Sequence, residues 1–476
     1  MTKAPNQALP ESTARFARPA LPVEIQEYIC HFLCSYCHDY PGLNCDRIST
    51  RALAALCRTS RSFATVAQPH VYHVASGSSS PRLLLRTLFE NERLAALVRS
   101  HDQDTTYGFL RENIKIDEFT SYVEALGLSG SDVESAAPRT NGRDRVNKHL
   151  FNQLFLCLAP QLEILRLELE SDQIYDEAGY QLLDARLQVI CDSTSAAVEA
   201  PLSHLRTLHI NTHYDWGYGL GIRTITAILQ AAASSLEELI VERCTDFAGD
   251  ASPLRQIQMP KLKLLAFDGC AFEHENGSHL PIIKTFCDRT SQLEEFRFSG
   301  SRPWIGENIG LHATAEDILH CVESCGQSLC TITVDLENFS DVLTPAPKLT
   351  AGSFANFSRL EVLLLDDFSF CHHMLGSQHN SLPNSCLTDL LPASIVRLIV
   401  QLSEESSVWG DLHDLAKSVT YGRFLNFRQL HLMDEHRRPR HDYNIVSESV
   451  RVASESVRVA FDSTNVTVSW KLGRSW

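Results

Sequence analysis

Leu162-Glu163-Ile164-Leu165-Arg166-Leu167 carries the pattern from which the fold is read. One apolar residue is followed three positions later by a second and two positions after that by a third. The same spacing returns as Leu205/Leu208/Ile210, Leu236/Leu239/Val241, Leu262/Leu265/Phe267 and Leu293/Phe296/Phe298. It continues as Leu329/Ile332/Val334, Leu360/Leu363/Leu365, Ile395/Leu398/Val400 and Phe427/Leu430/Leu432. A leucine-rich chain supplies one or two such copies by chance. Nine copies at intervals of 26 to 43 residues are a period. The last two apolar residues of each copy are two apart, so in a short strand both point inward and the residue between them points outward. The segments between include helical stretches such as Thr224–Leu229 and Ala315–Val322. Strand then helix, repeated, stacks into a solenoid with parallel strands.

Residues 150–470 therefore resemble the leucine-rich-repeat family. Its Asn-or-Cys position, three beyond the last apolar residue, is filled here by Cys244 and Cys270, the cysteine variant. Glu170, His213, Ser301 and Phe368 stand there in other repeats, so an irregular array with bulging loops is expected. The resemblance implies a target surface on the outward strand positions Arg166, Glu168, His209, Asn211, Glu242, Asp268, Arg297, Asp335 and Asp366. Five of these nine are acidic, which favours a partner with a basic patch; polarity kept only for solubility explains them equally well.

The first hundred residues read differently. Leu21-Pro22-Val23-Glu24-Ile25 opens a helix: Pro22 suits a first turn, where its missing N–H costs nothing, and Glu24 lies near the positive helix end. Ile25, Ile29, Phe32 and Leu33 form an apolar stripe. After the turn-rich Tyr40–Asn44, a second helix is expected with Ser49 or Thr50 as N-cap and Leu53, Leu56 and Cys57 as its apolar face. A short third helix holds Phe63, Val66 and Ala67, and the chain is expected to leave it through Gln68-Pro69-His70-Val71-Tyr72. The Leu21-Pro22 start, followed by Leu56-Cys57-Arg58-Thr59-Ser60-Arg61-Ser62-Phe63, resembles the F-box family over residues 20–75. Together the two resemblances suggest the fungal-type F-box/leucine-rich-repeat proteins. They imply an α/β chain in which a small helical module precedes the solenoid and binds the Skp-family adaptor of cullin–RING ubiquitin ligases. Leu21, Pro22, Glu24, Ile25, Ile29 and Leu56 would make that contact. The segment from Cys34 to Arg47 departs from the family's short inter-helix loop. A plain three-helix lead-in to the body is the alternative.

That segment also raises metal binding. Cys34-Ser35-Tyr36-Cys37 is a CxxC, with Cys30, His38 and Cys45 nearby. Thiolates and imidazoles at such spacing bind zinc tetrahedrally, but the second CxxC of a strong signature is missing. Cys34, Cys37 and Cys45 are thus weak candidates, packed or free thiols are the default, and nothing in the sequence assigns His70 or His73 to a site.

Organisation and composition bound the rest. Residues 1–19, with Pro5, Pro10 and Pro19, read as a flexible lead; 20–75 as the helical module; 76–150 as a helical linker with a mobile loop over Ser129–Arg145; and 151–476 as the solenoid. Residues 1–100 hold 11 Lys and Arg against 7 Asp and Glu, a net of +4, so the remainder of a chain of net charge −16 carries −20. So acidic a body disfavours nucleic acid. No apolar run approaches the roughly 20 residues of a membrane span, and Met1–Ala20 lacks a signal-peptide core. An odd cysteine count of 15 without a framework spacing suits a reducing compartment, cytoplasmic or nuclear. The tandem copy Ser447–Ala453 and Ser454–Ala460 reads as strand-like, and Val466–Trp470 as a closing strand.

Catalytic signatures are lacking. Gly217-Tyr218-Gly219-Leu220-Gly221 is not a GxGxxG and fits a strand-to-helix loop; Cys371-His372-His373 fits a solvated loop; no GxSxG, HExxH or EF-hand pattern occurs. The expected function is a non-enzymatic substrate receptor without a cofactor, which binds the adaptor, and through it the cullin scaffold, with its helices and a target protein with its repeats. A repeat scaffold without ligase recruitment is the alternative, and an enzyme of unrecognised type a more distant one.

Overall fold

Two inward-pointing residues per strand must meet the same pair on the next strand, and in the computed structural model they do so across ten strands of an 11-stranded sheet. The structure describes residues 21–38, 47–75, 81–102, 116–132, 143–169, 181–193, 200–212, 220–244, 247–248, 252–270, 279–300, 314–336, 349, 352–370, 386–402, 408–434 and 448–472. The chain divides into two units, Met1–Val74 and Ala75–Trp476.

In the first unit, α1 (Val23–Leu33) starts as expected after Pro22, whose carbonyl accepts from Ile25 N and Gln26 N, each at 3.1 Å. α2 (Arg47–Cys57) begins ahead of Ser49 and Thr50, so both lie inside its first turn and neither is its N-cap. α3 (Arg61–His73) is capped by Ser60, whose Oγ accepts from Phe63 N at 3.1 Å. It does not end at Gln68: it runs through Pro69 to His73. An interior proline costs about 3 kcal/mol. Val66, Ala67 and Val71, packed on the small core, supply opposing contacts. That core has four buried residues, Cys30, Cys34, Leu53 and Ala67, ringed by half-buried side chains including Leu56 and Phe63.

The second unit contains β1 (Ser100–Asp102), β2 (Ile164–Leu169), β3 (Thr207–Thr212), β4 (Leu220–Gly221), β5 (Glu238–Glu242), β6 (Phe247–Ala248) and β7 (Leu264–Cys270). It continues with β8 (Glu295–Gly300), β9 (Thr331–Asp335), β10 (Val362–Asp366), β11 (Arg397–Leu402), β12 (Gln429–Asp434) and β13 (Thr467–Leu472). β4 and β6 pair separately, and the others lie side by side in sequence order with every pairing parallel. Parallel neighbours need a crossover, and helices such as Ile222–Ala232, Ala315–Val322 and Trp409–Thr420 provide it. This mixed α/β architecture is compatible with a solenoid.

The register aligns the repeated pattern residue for residue. Leu165, Leu208, Leu239, Leu265, Phe296, Ile332, Leu363, Leu398 and Leu430 form one row across the sheet. Leu167, Ile210, Val241, Phe267, Phe298, Val334, Leu365, Val400 and Leu432 form the next. All eighteen side chains are buried. Val468 and Trp470 extend both rows onto β13, the expected closing strand. Cys244 and Cys270 are buried as the cysteine-type pattern requires. Gly269, at φ +63°, a conformation glycine adopts at little cost, lies where the register shifts; Cys270 Sγ then reaches Val241 O at 3.5 Å.

Two expectations change. Residues 76–150, read as a linker, belong to the second unit, and β1 heads its sheet with His101 buried on Phe155 and bonded through Nδ1 to Ala75 O at 2.8 Å. Three residues are too short to show a period, which hid this strand. The tandem copy is a helix, Glu448–Phe461, and not a strand. A seven-residue repeat is close to two helical turns, and a parallel β13 needs a helical return. Among the described residues, no helix is long and apolar enough to cross a membrane.

The inward row predicts a graded mutational response. Leu239→Ala, at a site 1% exposed, should cost about 2–5 kcal/mol, and the outward Thr333→Ala on β9 within about 0.5 kcal/mol. Urea unfolding of both variants measures this; equal losses would contradict the inward and outward assignment.

Candidate functional site

α1 is apolar on both sides, and only one side is used internally. Gln26, Cys30 and Cys34 are buried, with Leu33 packed against them. Ile25, Tyr28 and Phe32, at 46%, 71% and 59% exposure, follow the spacing i, i+3, i+7 and so share a stripe turned to solvent; Leu21, 49% exposed, lies just ahead of the helix. The apolar stripe read from the sequence is thereby split: Ile25 and Phe32 face water, while Ile29 and Leu33 are half-buried. Gln26 fixes the helix's rotation. Its Nε2 donates to Leu21 O at 2.6 Å, and its Oε1 accepts from Ser62 Oγ of α3 at 2.8 Å.

Of the residues expected to contact an adaptor, Leu21, Pro22, Glu24 and Ile25 are exposed, Ile29 is half-buried, and Leu56 packs on the unit's core. Leu56 is thus mainly structural. Tyr28 was missed in the sequence, where an aromatic among apolar neighbours reads as core. Ile48 of α2, also missed, is 71% exposed.

On the sheet, the nine expected target residues separate by depth. Arg166, His209, Asn211, Glu242, Asp268 and Arg297 are half-exposed. Glu168, Asp335 and Asp366 are buried and offer a partner no surface in this conformation. Three of five acids drop out, so the acidic excess that favoured a basic partner does not survive on the accessible set. Several survivors are engaged within the sheet. His209 Nε2 lies 3.0 Å from Glu242 Oε1, and that contact holds the Glu242 carboxyl below its usual range against the cost of burial. Arg166 faces Asp102 at 3.9 Å, and Arg297 Nε donates to Glu295 at 2.6 Å.

Asp366 has a structural task instead. Its Oδ1 accepts from Ser369 N at 2.7 Å, capping the short helix Asp367–Phe370, and its other oxygen accepts from Leu336 N. Asp335, alongside, accepts from Gln401 Nε2 at 3.3 Å. Burial, then the Asp335 charge, pushes the Asp366 carboxyl up to about 7.

Cys34 and Cys37 lie together just after α1, and the extended α3 brings His70 and His73 to them. Cys45, Cys371, His372, His373 and Gly217–Gly219 lie outside the described residues, as do the lead 1–19 and most of the loop within Ser129–Arg145. No family model matches the chain, and no curated protein matches it in sequence.

The raised Asp366 carboxyl has a definite sign. Between about pH 4 and 7 the folded chain holds a proton there that the unfolded chain has released, so this group's contribution to stability falls as pH rises through that window. The stability difference between the native chain and Asp366→Asn should therefore favour the native chain most near pH 4 and shrink toward pH 7.5. Denaturant midpoints across that range measure it, and a flat difference would refute the assignment.

Proposed function

We propose that the protein is a substrate-receptor subunit of a cullin–RING ubiquitin ligase, in which the N-terminal unit docks a Skp-family adaptor and the sheet-bearing unit holds a target protein. The observation that carries this reading is the solvent-facing row Ile25, Tyr28 and Phe32, with the exposed Leu21 just ahead of the helix. A contiguous apolar row on a small helical unit is what a partner surface requires. The sequence resemblance over residues 20–75 supplies the partner's identity. The half-exposed polar strand positions suit a second protein contact. The chain's part is to hold two proteins, and ubiquitin transfer belongs to other subunits.

The full-length chain co-expressed with a Skp-family adaptor should co-purify as a stoichiometric complex. Leu21→Ala combined with Ile25→Ala removes two exposed apolar contacts; at more than about 1 kcal/mol each, affinity should fall roughly thirtyfold while the fold is kept. Calorimetric titration measures that loss. A folded chain that shows no adaptor binding would move the reading to a repeat scaffold outside the ligase.

A further inference from the structure

We propose that Cys34, Cys37, His70 and His73 form a zinc site that staples the N-terminal unit. Their ligand atoms lie within 4.8 Å of one another. Cys37 Sγ is 3.5 Å from His70 Nδ1 and 3.3 Å from His73 Nδ1, and Cys34 Sγ is 3.6 Å from His73 Nδ1. Tetrahedral zinc, with Zn–S about 2.3 Å and Zn–N about 2.0–2.1 Å, places sulfur and nitrogen about 3.5–3.6 Å apart. These three separations match to within a few tenths of an ångström, and the widest of the remaining pairs, within 4.8 Å, would close by about 1 Å on binding the ion. Pairwise thiol–imidazole hydrogen bonds reach similar lengths, so the weight lies in the convergence. Cys37 Sγ faces both imidazoles at once, and four donors from two separate segments close on one point.

The backbone serves the same end. Cys34 ends α1, and the turn after it returns Cys37 to the same side. His70 and His73 are spaced i, i+3 and so share a face of the last turn of α3. That turn is the one maintained beyond Pro69, against the cost of an interior proline. Without it neither imidazole reaches the cysteines. A core of two cysteines, one leucine and one alanine is thin for an independent unit, and units of this size usually need a metal, a disulfide or a partner. Two thiolates balance the charge of a divalent ion, and an S₂N₂ tetrahedral set selects zinc among common ions. The inference is independent of the adaptor reading, since none of its four residues belongs to the proposed adaptor contact.

The test uses the full-length chain, purified from a reducing cytosol without chelators. Elemental analysis should find about one zinc per chain, and Co²⁺ added to the stripped, reduced protein should give the intense visible bands of a tetrahedral thiolate site. Zinc should shield Cys34 and Cys37 from alkylation, read by peptide mass spectrometry, and a chelator should expose them. Cys37→Ser, and separately His70→Gln with His73→Gln, should reduce bound zinc to near zero, whereas Cys191→Ser, at an exposed thiol of the other unit, should not. The unaltered chain decides the matter even if a variant misfolds. No zinc with no tetrahedral cobalt spectrum overturns the proposal. So does a Cys34–Cys37 disulfide in metal-free protein, or full zinc content with both thiols open to alkylation.

Discussion

The larger unit depends on one constraint: two apolar residues per strand must stack in register with the pair before and the pair after. Each buried side chain of this size contributes about 1.5–3 kcal/mol, but no single repeat can bury its own pair. Burial therefore requires neighbours. The parallel register through Leu239, Leu265 and Phe296 on one row, and Val241, Phe267 and Phe298 on the next, satisfies that requirement continuously. Everything else in the unit adapts to it. Intervals between strands vary widely, because a crossover must return the chain to the right register and need not do so at fixed length.

The outward parity of the same strands is less uniform than alternation suggests. Near the C-terminal ends of β9, β10 and β11, Asp335, Asp366 and Gln401 are buried although their positions alternate with the core rows. Buried carboxylates persist only when hydrogen-bonded, and Asp366 accepts from two backbone N–H groups. Polarity at a strand position is thus of two kinds: half-exposed residues such as Arg166 and Arg297, available to a partner, and capping residues that hold the loops after the strands.

The first unit inverts the usual economy of a small domain. Its largest apolar side chains on α1, Tyr28 and Phe32, face water, while two cysteines, one leucine and an alanine form the buried interior. A domain arranged this way needs help on both sides: a partner over the outward row and a staple beneath. The proposed adaptor contact and the proposed zinc cluster would answer those two needs.

The periodicity alone determined nine of the strands, their parallel order and the inward rows, because a repeated apolar pair is buried only when neighbouring copies stack in register. Three of its readings failed for lack of context. The three residues of β1 carry no period, the tandem Ser-Glu-Ser-Val-Arg-Val-Ala copy fits a helix as well as a strand, and Pro69 reads as a breaker although α3 passes through it. At the candidate sites, the sequence named Leu21, Ile25, Cys34 and Cys37, but not which face of α1 is covered or whether His70 and His73 belong with the thiols. Tertiary structure decided these points: the rotation of a helix and the meeting of groups more than thirty residues apart depend on packing between elements, which local spacing does not encode.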